Sequence, residues 1–262
     1  MPYTTILFDI HDDIAQITLN RPEAANSINK EISLDLMHAA INCSEDQGIR
    51  AVVITGAGTM FCAGGDLKTF AAQGKGLPAY LKEVTVYMHA AISQLSRLDA
   101  PVIAAVNGNA AGAGLSLICG CDYVIATETA RFTAAYTKAG LTPDGGLTYF
   151  LPRILGTRRA LELVLTNRIL SAKEAFELGI VNRVVGEAEV MEQAHATAAQ
   201  MANGATKALG TAKRLLYTGW METLETQMQH ESQAIAEISA TADGREGIAA
   251  FLEKRPPKFT GQ

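Results

Sequence analysis

Two short glycine-rich turns constrain this chain more than any other feature, because each closely follows an apolar, partly β-branched run. Residues 51–56 read Ala-Val-Val-Ile-Thr-Gly, and the turn at 61–67 reads Phe-Cys-Ala-Gly-Gly-Asp-Leu. Residues 101–108 read Pro-Val-Ile-Ala-Ala-Val-Asn-Gly, and 109–114 read Asn-Ala-Ala-Gly-Ala-Gly. Continuous apolar runs of this kind are typical of strands that are covered on both faces. The small residues after them leave backbone N–H groups uncovered by side chains.

Two such turns lying side by side would present two N–H donors to a single oxygen atom. That arrangement is an oxyanion hole, in which preorganised donors stabilise the charge that develops on a carbonyl oxygen. For one isolated glycine turn, a purely structural role is the simpler explanation. Two turns, each behind a buried strand, favour chemistry on an activated carbonyl group.

Length and composition exclude several classes of protein. The chain has 262 residues, enough for one core that buries roughly three quarters of the unfolded surface. Hydrophobic residues make up 48% and charged residues 19%, which predicts a globular protein. The net charge of −5 gives no support to nucleic-acid binding, so any anionic ligand must be held by a local group of Lys or Arg.

The cellular location can be predicted from the start of the chain, from the uncharged segment 101–121 and from the cysteines. The chain start lacks the charged-then-apolar pattern of a secretory signal. Residues 101–121 carry no charge, but their proline and glycines favour a buried strand, turn and helix over a membrane span. The four cysteines lack metal-ligand spacing and are expected to be buried thiols: Cys43, Cys62, Cys119 and Cys121. We therefore expect a cytoplasmic protein with no membrane partner.

Hydrophobic periodicity predicts the order of strands and helices. Strands alternate within residues 6–19, around a turn at 11–13, and a further strand is predicted at 123–126. The predicted helices of the first half lie at 28–43, 79–98 and 112–120. This β-then-α alternation predicts parallel strands joined by crossover helices. Residues 71–78 are small and lack periodicity, so a loop is expected there, either mobile over the first turn or an ordinary surface loop.

The second half becomes helical. A helix is predicted at 156–166, and Ser171 and Glu174 form a capping box that opens a short helix ending at Gly179. A strand is predicted at 181–185. From residue 187 to 252 the pattern is entirely helical, with breaks at Gly204 and Gly219. We expect a βα core followed by a helical tail.

The motifs together resemble the crotonase (enoyl-CoA hydratase/isomerase) superfamily. Matching blocks occur in order at 20–22, 61–67, 101–122, 140–152 and 251–255, so the resemblance covers nearly the whole chain. It implies an α/β fold, with a crotonase-like ββα spiral core over residues 1–200 that carries the CoA and oxyanion-hole turns. Residues 201–262 would form a C-terminal helical trimerisation region.

The resemblance also implies an acyl-CoA thioester as substrate and no cofactor, because coenzyme A is part of the substrate. In crotonase-like proteins the tail packs against neighbouring subunits and completes the site. A homotrimer or a dimer of trimers is therefore expected. The tail carries more apolar side chains than a short segment can bury on itself, namely Leu209, Leu215, Leu216, Trp220, Leu224 and Met228.

The same resemblance implies that the peptide N–H groups of Gly65 and Ala113 donate hydrogen bonds to the thioester oxygen. Alanine at 113 is a mild departure from the usual glycine, since only its N–H is required. The residues expected to line the CoA pocket are Ala63, Gly64, Asp66 and Leu67. Candidates for the CoA phosphates are Lys68, Lys254, Arg255 and Lys258, with surface solvation as the alternative. An apolar acyl pocket is expected from Leu77, Tyr80, Val84, Tyr136 and Leu141.

The acid–base positions carry the main inference about the reaction. Hydratases of this family use two glutamates, and the corresponding positions here hold Ser116 and Tyr136, whose hydroxyl groups are poor bases at neutral pH. Asp144, in Leu-Thr-Pro-Asp-Gly-Gly, is the remaining carboxylate. In the ring-1,2-epoxyphenylacetyl-CoA and dienoyl-CoA isomerase branches, an aspartate at the corresponding place shuttles a proton; the dehalogenase branch uses one there as a nucleophile. A turn in which Asp144 caps the next helix is the structural alternative.

We therefore expect an enoyl-CoA or ring-epoxide isomerase in which Asp144 moves a proton. The alternatives are an enoyl-CoA hydratase that uses Asp144 alone and a catalytically silent CoA-thioester binding subunit. Two other motifs are incomplete: the dinucleotide fingerprint lacks its third glycine at Leu117, and the nucleophile elbow lacks its second glycine at Ile118. The five histidines fall outside the matching blocks, so each is expected to be a surface or capping residue.

Overall fold

The computed structural model describes residues 3–262, which form two sheets and surrounding helices. Within that range the strands are β1 (Ile6–His11), β2 (Ile14–Leu19), β3 (Ala51–Gly56), β4 (Met60–Cys62), β5 (Val102–Val106), β6 (Asn109–Ala111), β7 (Tyr123–Thr127), β8 (Arg131–Thr133), β9 (Leu170–Ser171) and β10 (Arg183–Val185). The helices are α1 (Lys30–Glu45), α2 (Leu67–Ala72), α3 (Leu77–Arg97), α4 (Ala113–Cys119), α5 (Leu147–Leu155), α6 (Thr157–Thr166), α7 (Ala172–Glu177), α8 (Val190–Ala202), α9 (Thr206–Thr218), α10 (Leu224–Ser239) and α11 (Ala242–Glu253).

The larger sheet has six strands in the order β1-β2-β3-β5-β7-β10. Strands β1 and β2 form an antiparallel hairpin, whose turn at Asp12 and Asp13 uses positive φ angles of 50° and 63°. The remaining neighbours pair in parallel. Every residue of β3 and β5 is buried, as the two apolar runs predicted.

Helices cover both faces of this sheet, which explains why its central strands are apolar throughout. On one face, α1 and α3 pack together and contribute Leu36 and Met88 to the larger core. On the other face, α8 supplies Ala194 and Ala198, which pack against a smaller cluster that includes Ile103. This is the mixed α/β architecture with crossover helices that the β-then-α alternation predicted.

The smaller sheet joins the two glycine-rich turns. It has the strand order β4-β6-β8-β9, and β4 and β6 pair in parallel, with Met60 opposite Asn109 and Cys62 opposite Ala110. Periodicity did not predict either strand, because three residues are too few to show an alternation. This pairing places the two turns next to each other although about 50 residues separate them in the sequence.

The prediction of a loop at residues 71–78 is wrong. Helix α2 continues to Ala72, a 3₁₀ turn occupies residues 74–76, and α3 begins at Leu77. Asp66 caps α2 by accepting a hydrogen bond from the Thr69 N–H at 3.1 Å. Pro78 lies in the first turn of α3, where a missing N–H costs nothing. Short helices with local caps show too little periodicity to be distinguished from a loop.

The C-terminal segment is helical and is attached to the core. Helix α8 ends before Gly204 and α9 ends before Gly219, so both predicted breaks are confirmed. The backbone N–H groups of Thr260 and Gly261 each donate to the Asp243 carboxylate at 2.7 Å. The division at residue 200 stays a prediction. Among residues 3–262, no helix combines the length and the apolarity that crossing a membrane requires.

All four cysteines are free thiols. Cys43, Cys62 and Cys119 are buried, and this burial raises the pKa of each to about 12. Cys121 is partly buried, and its thiol donates to the Leu117 carbonyl at 3.3 Å. Because the thiolate is the reactive form, these cysteines are inert packing residues at neutral pH.

We predict that Ser171→Ala lowers the free energy of unfolding by about 1 kcal/mol. The capping box is present: the Ser171 hydroxyl accepts from the Glu174 N–H, and the Glu174 carboxylate accepts from the Ser171 N–H. The substitution removes one of these two partners. Urea unfolding measures the loss. Ser232→Ala, on the exposed surface of α10, is the control and should change stability by less than about 0.5 kcal/mol.

Candidate active site

The two glycine-rich turns are in direct backbone contact. A Cβ atom added at Gly64 would lie 2.9 Å from the Ala111 carbonyl oxygen, and one added at Gly112 would lie 3.4 Å from the Gly64 Cα. Gly64 and Gly112 also have positive φ angles, of 96° and 51°. Glycine is therefore required at both positions for close approach and for backbone conformation. Larger residues there would separate the two turns.

Each turn contains a peptide N–H group that has no acceptor among the described residues and belongs to a cavity-lining residue, Gly65 in the first turn and Ala113 in the second. Ile28 donates its N–H to the Gly64 carbonyl at 2.7 Å and accepts from the Asp66 N–H at 2.8 Å. This bridge uses the peptide groups on both sides of Gly65, so the Gly65 N–H points to the opposite side. Ala113 is the first residue of α4, where an N–H has no partner within the helix. Within residues 3–262, neither N–H has a protein acceptor.

Both residues line one cavity of about 330 Å³. The first turn contributes Ala63, Gly64, Gly65 and Leu67, and the second contributes Gly112 and Ala113. Helix α3 forms the opposite wall. The rest of the lining is mostly apolar, and its polar side chains are those of Lys82, Thr85, Tyr136, Thr142 and Asp144.

Asp144 and Tyr136 line this cavity, and both are hydrogen-bonded to the buried Ser116. The Tyr136 hydroxyl donates to Asp144 Oδ1 at 2.5 Å. Ser116 Oγ lies 2.9 Å from the Tyr136 hydroxyl and donates to the Asp144 backbone carbonyl at 2.9 Å. The three residues come from α4, from the segment after β8 and from the loop before α5. The resemblance to the crotonase superfamily puts all three residues at acid–base positions, and the fold brings them into mutual contact.

Asp144 is the only carboxylate among the residues that line the cavity in the described part of the chain. Burial, and then the charge of Asp144, raise the pKa of the Tyr136 phenol well above its usual value. The phenol is therefore protonated at neutral pH and acts as a hydrogen-bond donor to the carboxylate. Ser116 is fully buried and carries no charge. Of these three side chains, only that of Asp144 is a carboxylate.

The fold also places a histidine next to Asp144, which the sequence analysis missed. His89 Nε2 accepts a hydrogen bond from the Gly145 N–H at 3.1 Å. His195, by comparison, forms a hydrogen bond of 2.9 Å with the side chain of Gln16, 179 residues away in the sequence. His89 is exposed, in agreement with the expected surface position, and its imidazole also holds the backbone next to Asp144. Its spacing of four residues from Thr85, which lines the cavity, is the helical pattern that could have indicated this position.

The residues expected around the CoA moiety divide into two groups. Ala63, Gly64 and Leu67 line the cavity, and the Leu67 side chain is 57% exposed at its mouth. The Asp66 carboxylate is instead paired with Arg21 at 3.0 Å and caps α2, so it has a structural task. Lys68 is exposed on α2, next in sequence to Leu67. A second lysine that the sequence analysis did not single out, Lys82, lines the cavity rim.

The cationic residues of the tail do not line this cavity. Lys254 follows α11 and adopts a left-handed conformation with φ 54°. The Arg255 guanidinium contacts both oxygens of Glu246, at 2.6 and 2.8 Å, and also pairs with Glu253. The Lys258 N–H donates to Glu246. In its own chain, therefore, Arg255 already has carboxylate partners.

Three of the five residues expected in the acyl pocket line this cavity, and the acyl pocket itself stays a prediction. Val84, Tyr136 and Leu141 line the cavity, together with Leu81 and Met88. Leu77 and Tyr80 do not line it. The Tyr80 ring packs edge-on against Phe70, and its hydroxyl accepts from the Lys30 N–H. Helix α3 begins two residues earlier than predicted, so the assignment of its pocket-facing side from the sequence was incomplete.

Comparison with known proteins identifies the family of this chain. The family model for enoyl-CoA hydratase/isomerase matches residues 9–262. A probable enoyl-CoA hydratase of Rhodobacter capsulatus is 39% identical over 262 residues, which is 100% of both chains. The 1,2-epoxyphenylacetyl-CoA isomerase of Escherichia coli is 39% identical over 258 residues, 98% of both chains. An enoyl-CoA hydratase from Polaromonas sp. JS666 has a solved structure with a TM-score of 0.93, 35% identity, and coverage of 97% of this chain and 99% of that one.

The fold brings the paired turns together so that, among residues 3–262, two N–H groups without a protein acceptor belong to residues that line one cavity. The chain belongs to the enoyl-CoA hydratase/isomerase family, within the crotonase superfamily. Its class is therefore that of acyl-CoA enzymes, and its fold is the crotonase fold.

Proposed function

We propose that this protein is an acyl-CoA isomerase that moves a proton between carbon atoms of a thioester, as an enoyl-CoA or ring-epoxide isomerase does. The observation that carries the proposal is that, among the residues the structure describes, Asp144 is the single carboxylate lining a cavity with two free N–H groups. The two residues at the usual glutamate positions, Ser116 and Tyr136, are instead hydrogen-bonded to Asp144. One group that both takes and returns a proton suits an isomerisation.

In the proposed reaction, the Asp144 carboxylate removes a proton from a carbon of the substrate that is acidified by the thioester. The electron pair of the broken C–H bond delocalises onto the thioester oxygen, where the Gly65 and Ala113 N–H groups stabilise the charge. The carboxylic acid of Asp144 then returns the proton to a different carbon, and the oxygen regains its carbonyl double bond. No atoms are gained or lost. We therefore propose that no cofactor is needed beyond the coenzyme A that the substrate carries.

An enoyl-CoA hydratase is the second candidate. It is favoured because relatives such as the Rhodobacter capsulatus protein are named as probable enoyl-CoA hydratases. In that case Asp144 activates water without a second carboxylate. A catalytically silent CoA-thioester binder is the third. Turnover of a panel of acyl-CoA thioesters distinguishes an enzyme from a binder. The same assay in ¹⁸O-labelled water separates the two reactions, because a hydratase product carries the label and an isomerase product does not.

Tyr136→Phe is expected to lower kcat less than about 10-fold. It removes one hydrogen bond to Asp144 but leaves the carboxylate in place. Ser116→Ala is expected to lower kcat far less than the loss of the Asp144 carboxylate does, since it removes hydrogen bonds to the Tyr136 hydroxyl and to the Asp144 backbone carbonyl but leaves the carboxylate in place. Steady-state kinetics on one active acyl-CoA measure both. A Tyr136→Phe enzyme with no activity would assign the proton transfer to the phenol and contradict the proposed role of Asp144.

We propose that the protein assembles as a homotrimer or a dimer of trimers through its C-terminal region. Large apolar side chains of α9 to α11 and of the connection between α9 and α10 are exposed, among them Leu216, Trp220, Leu224, Ile235 and Phe251. A patch of that kind is typical of an interface. Analytical ultracentrifugation should give a trimer or hexamer at micromolar concentration. A stable monomer would contradict the proposal.

We further propose that Lys68 and Lys254 contact the phosphates of CoA. Lys68 lies near the cavity mouth of its own chain. Lys254 lies on the exposed C-terminal surface, next to Phe251 and Leu252, so it would serve the site of a neighbouring subunit in the proposed oligomer. The acyl group is proposed to be apolar, aromatic or medium-chain aliphatic, because Leu81, Val84 and Leu141 line the inner cavity.

A further inference from the structure

His89 and Ser116 hold the same peptide group, the one that follows Asp144. Ser116 Oγ donates to the carbonyl of this peptide at 2.9 Å, and His89 Nε2 accepts from its N–H, which belongs to Gly145, at 3.1 Å. The two side chains come from different helices, α4 and α3. With both bonds in place the peptide cannot rotate about its flanking bonds. The Asp144 side chain is thereby fixed relative to the two N–H donors.

The local backbone makes this support necessary. Gly145 and Gly146 both adopt positive φ angles, of 59° and 76°. Successive glycines are conformationally permissive, so the segment after Asp144 has little stiffness of its own. A Cβ atom added at Gly145 would lie 2.9 Å from the Ser116 Cβ, so a bulkier residue cannot supply the stiffness. The Leu147 N–H also donates to the Asp144 carbonyl at 3.1 Å, whereas among residues 3–262 the acceptor of the Gly145 N–H is the His89 side chain.

We infer that His89 is a positioning residue: its neutral imidazole holds the Asp144–Gly145 peptide and thereby aims the Asp144 carboxylate at the substrate. As acceptor from an N–H, Nε2 carries no proton, so the ring proton lies on Nδ1. His89 does not line the cavity that contains the two free N–H groups. It therefore acts through the peptide and does not touch the substrate. The inference rests on the proposed role of Asp144.

The surroundings of His89 make the inference testable without unfolding the protein. The imidazole is exposed and faces a second cavity of about 670 Å³, lined also by Ser93, Tyr149 and Tyr217. Replacing a side chain that faces an open cavity leaves no sealed void in the core, so the stability cost is small. Ser93 is one turn further along α3 and lines the same cavity, and its side chain makes no hydrogen bond among residues 3–262. Ser93→Ala is therefore a matched control.

The experiment compares His89→Leu, which removes the acceptor, with His89→Gln, which provides a carbonyl oxygen in its place. We expect His89→Leu to lower kcat roughly 10- to 100-fold with KM changed less than about 3-fold, because misplacement of a catalytic group affects the chemical step. His89→Gln should recover activity to within a few-fold, and Ser93→Ala should match the unsubstituted protein. Amide hydrogen exchange in peptides covering residues 141–150 should accelerate in His89→Leu and be restored in His89→Gln.

Two results would overturn the inference. One is an unchanged kcat, or a change confined to KM, in His89→Leu. The other is a His89→Gln enzyme as inactive as His89→Leu, because the imidazole would then act by transferring a proton. Asp144→Asn is measured in parallel. Full activity in that variant would reject the proposed function, whereas the exchange data would still report whether His89 holds the peptide.

Discussion

Asp144→Asn is expected to lower kcat by roughly 10²- to 10⁴-fold, the range typical of losing a general base. Asparagine keeps the shape of the side chain and can still pair with the Tyr136 hydroxyl, which lies 2.5 Å from Asp144 Oδ1. It cannot accept the substrate proton. KM should change little, because the thioester oxygen is proposed to be bound by the N–H groups of Gly65 and Ala113 and not by Asp144. Steady-state kinetics on an active acyl-CoA measure both constants.

Two comparisons make this result decisive. Asp9→Asn introduces the same chemical change on the exposed strand β1 and should leave kcat unaltered. Tyr136→Phe, which removes the donor but not the carboxylate, should lose far less activity than Asp144→Asn. If Asp144→Asn instead retains full activity, Asp144 is a turn residue, and the proton must be moved by another group.

Ala113→Pro should lower kcat/KM by about 10²-fold or more, because proline deletes one N–H that points into the cavity. The position suits this test. Ala113 is the first residue of α4, where proline is the most readily accepted in a helix. Gly65 is less suitable, since a Cβ atom there would lie 2.6 Å from the Phe70 ring. Circular dichroism and a melting curve establish that the variant is folded.

Ala113→Gly is the matched control, because it removes the methyl group and retains the N–H. Its kcat/KM should stay within a few-fold of the unsubstituted value. A folded Ala113→Pro enzyme with full activity would show that the thioester oxygen binds elsewhere. Loss of activity in both variants would indicate that the methyl group, and not the N–H, is required.

The parts of the fold that depend on local pattern could be predicted from the sequence. Strands β3 and β5 are buried runs, and the boundaries of α3 and α4 differ from their predicted positions by one or two residues. The capping box at Ser171 is present. In each case the physical cause is contained within a few neighbouring residues, whether burial on both faces or a side chain that caps its own helix.

The parts that depend on distant contacts could not be predicted. Strands β4 and β6 exist because two three-residue segments pair across about 50 residues of sequence. The contact between His89 and Gly145 joins elements 56 residues apart and has no sequence motif. The resemblance to a family placed Ser116, Tyr136 and Asp144 at reactive positions. Their mutual hydrogen bonds follow from the packing of α4 against the loop before α5.

The contact between the two glycine-rich turns has a consequence for how the reaction of such a protein can change. The two N–H groups are part of the main chain, and their positions depend on the path of the backbone. The side chains at the acid–base positions are Ser116, Tyr136 and Asp144, which come from α4, from the segment after β8 and from the loop before α5. Substitutions at those positions can change where a proton is removed from the substrate and where it is returned. The two backbone N–H groups, which are proposed to stabilise negative charge on the substrate oxygen, stay in place. One backbone frame is thus compatible with many different reactions of the same kind of thioester.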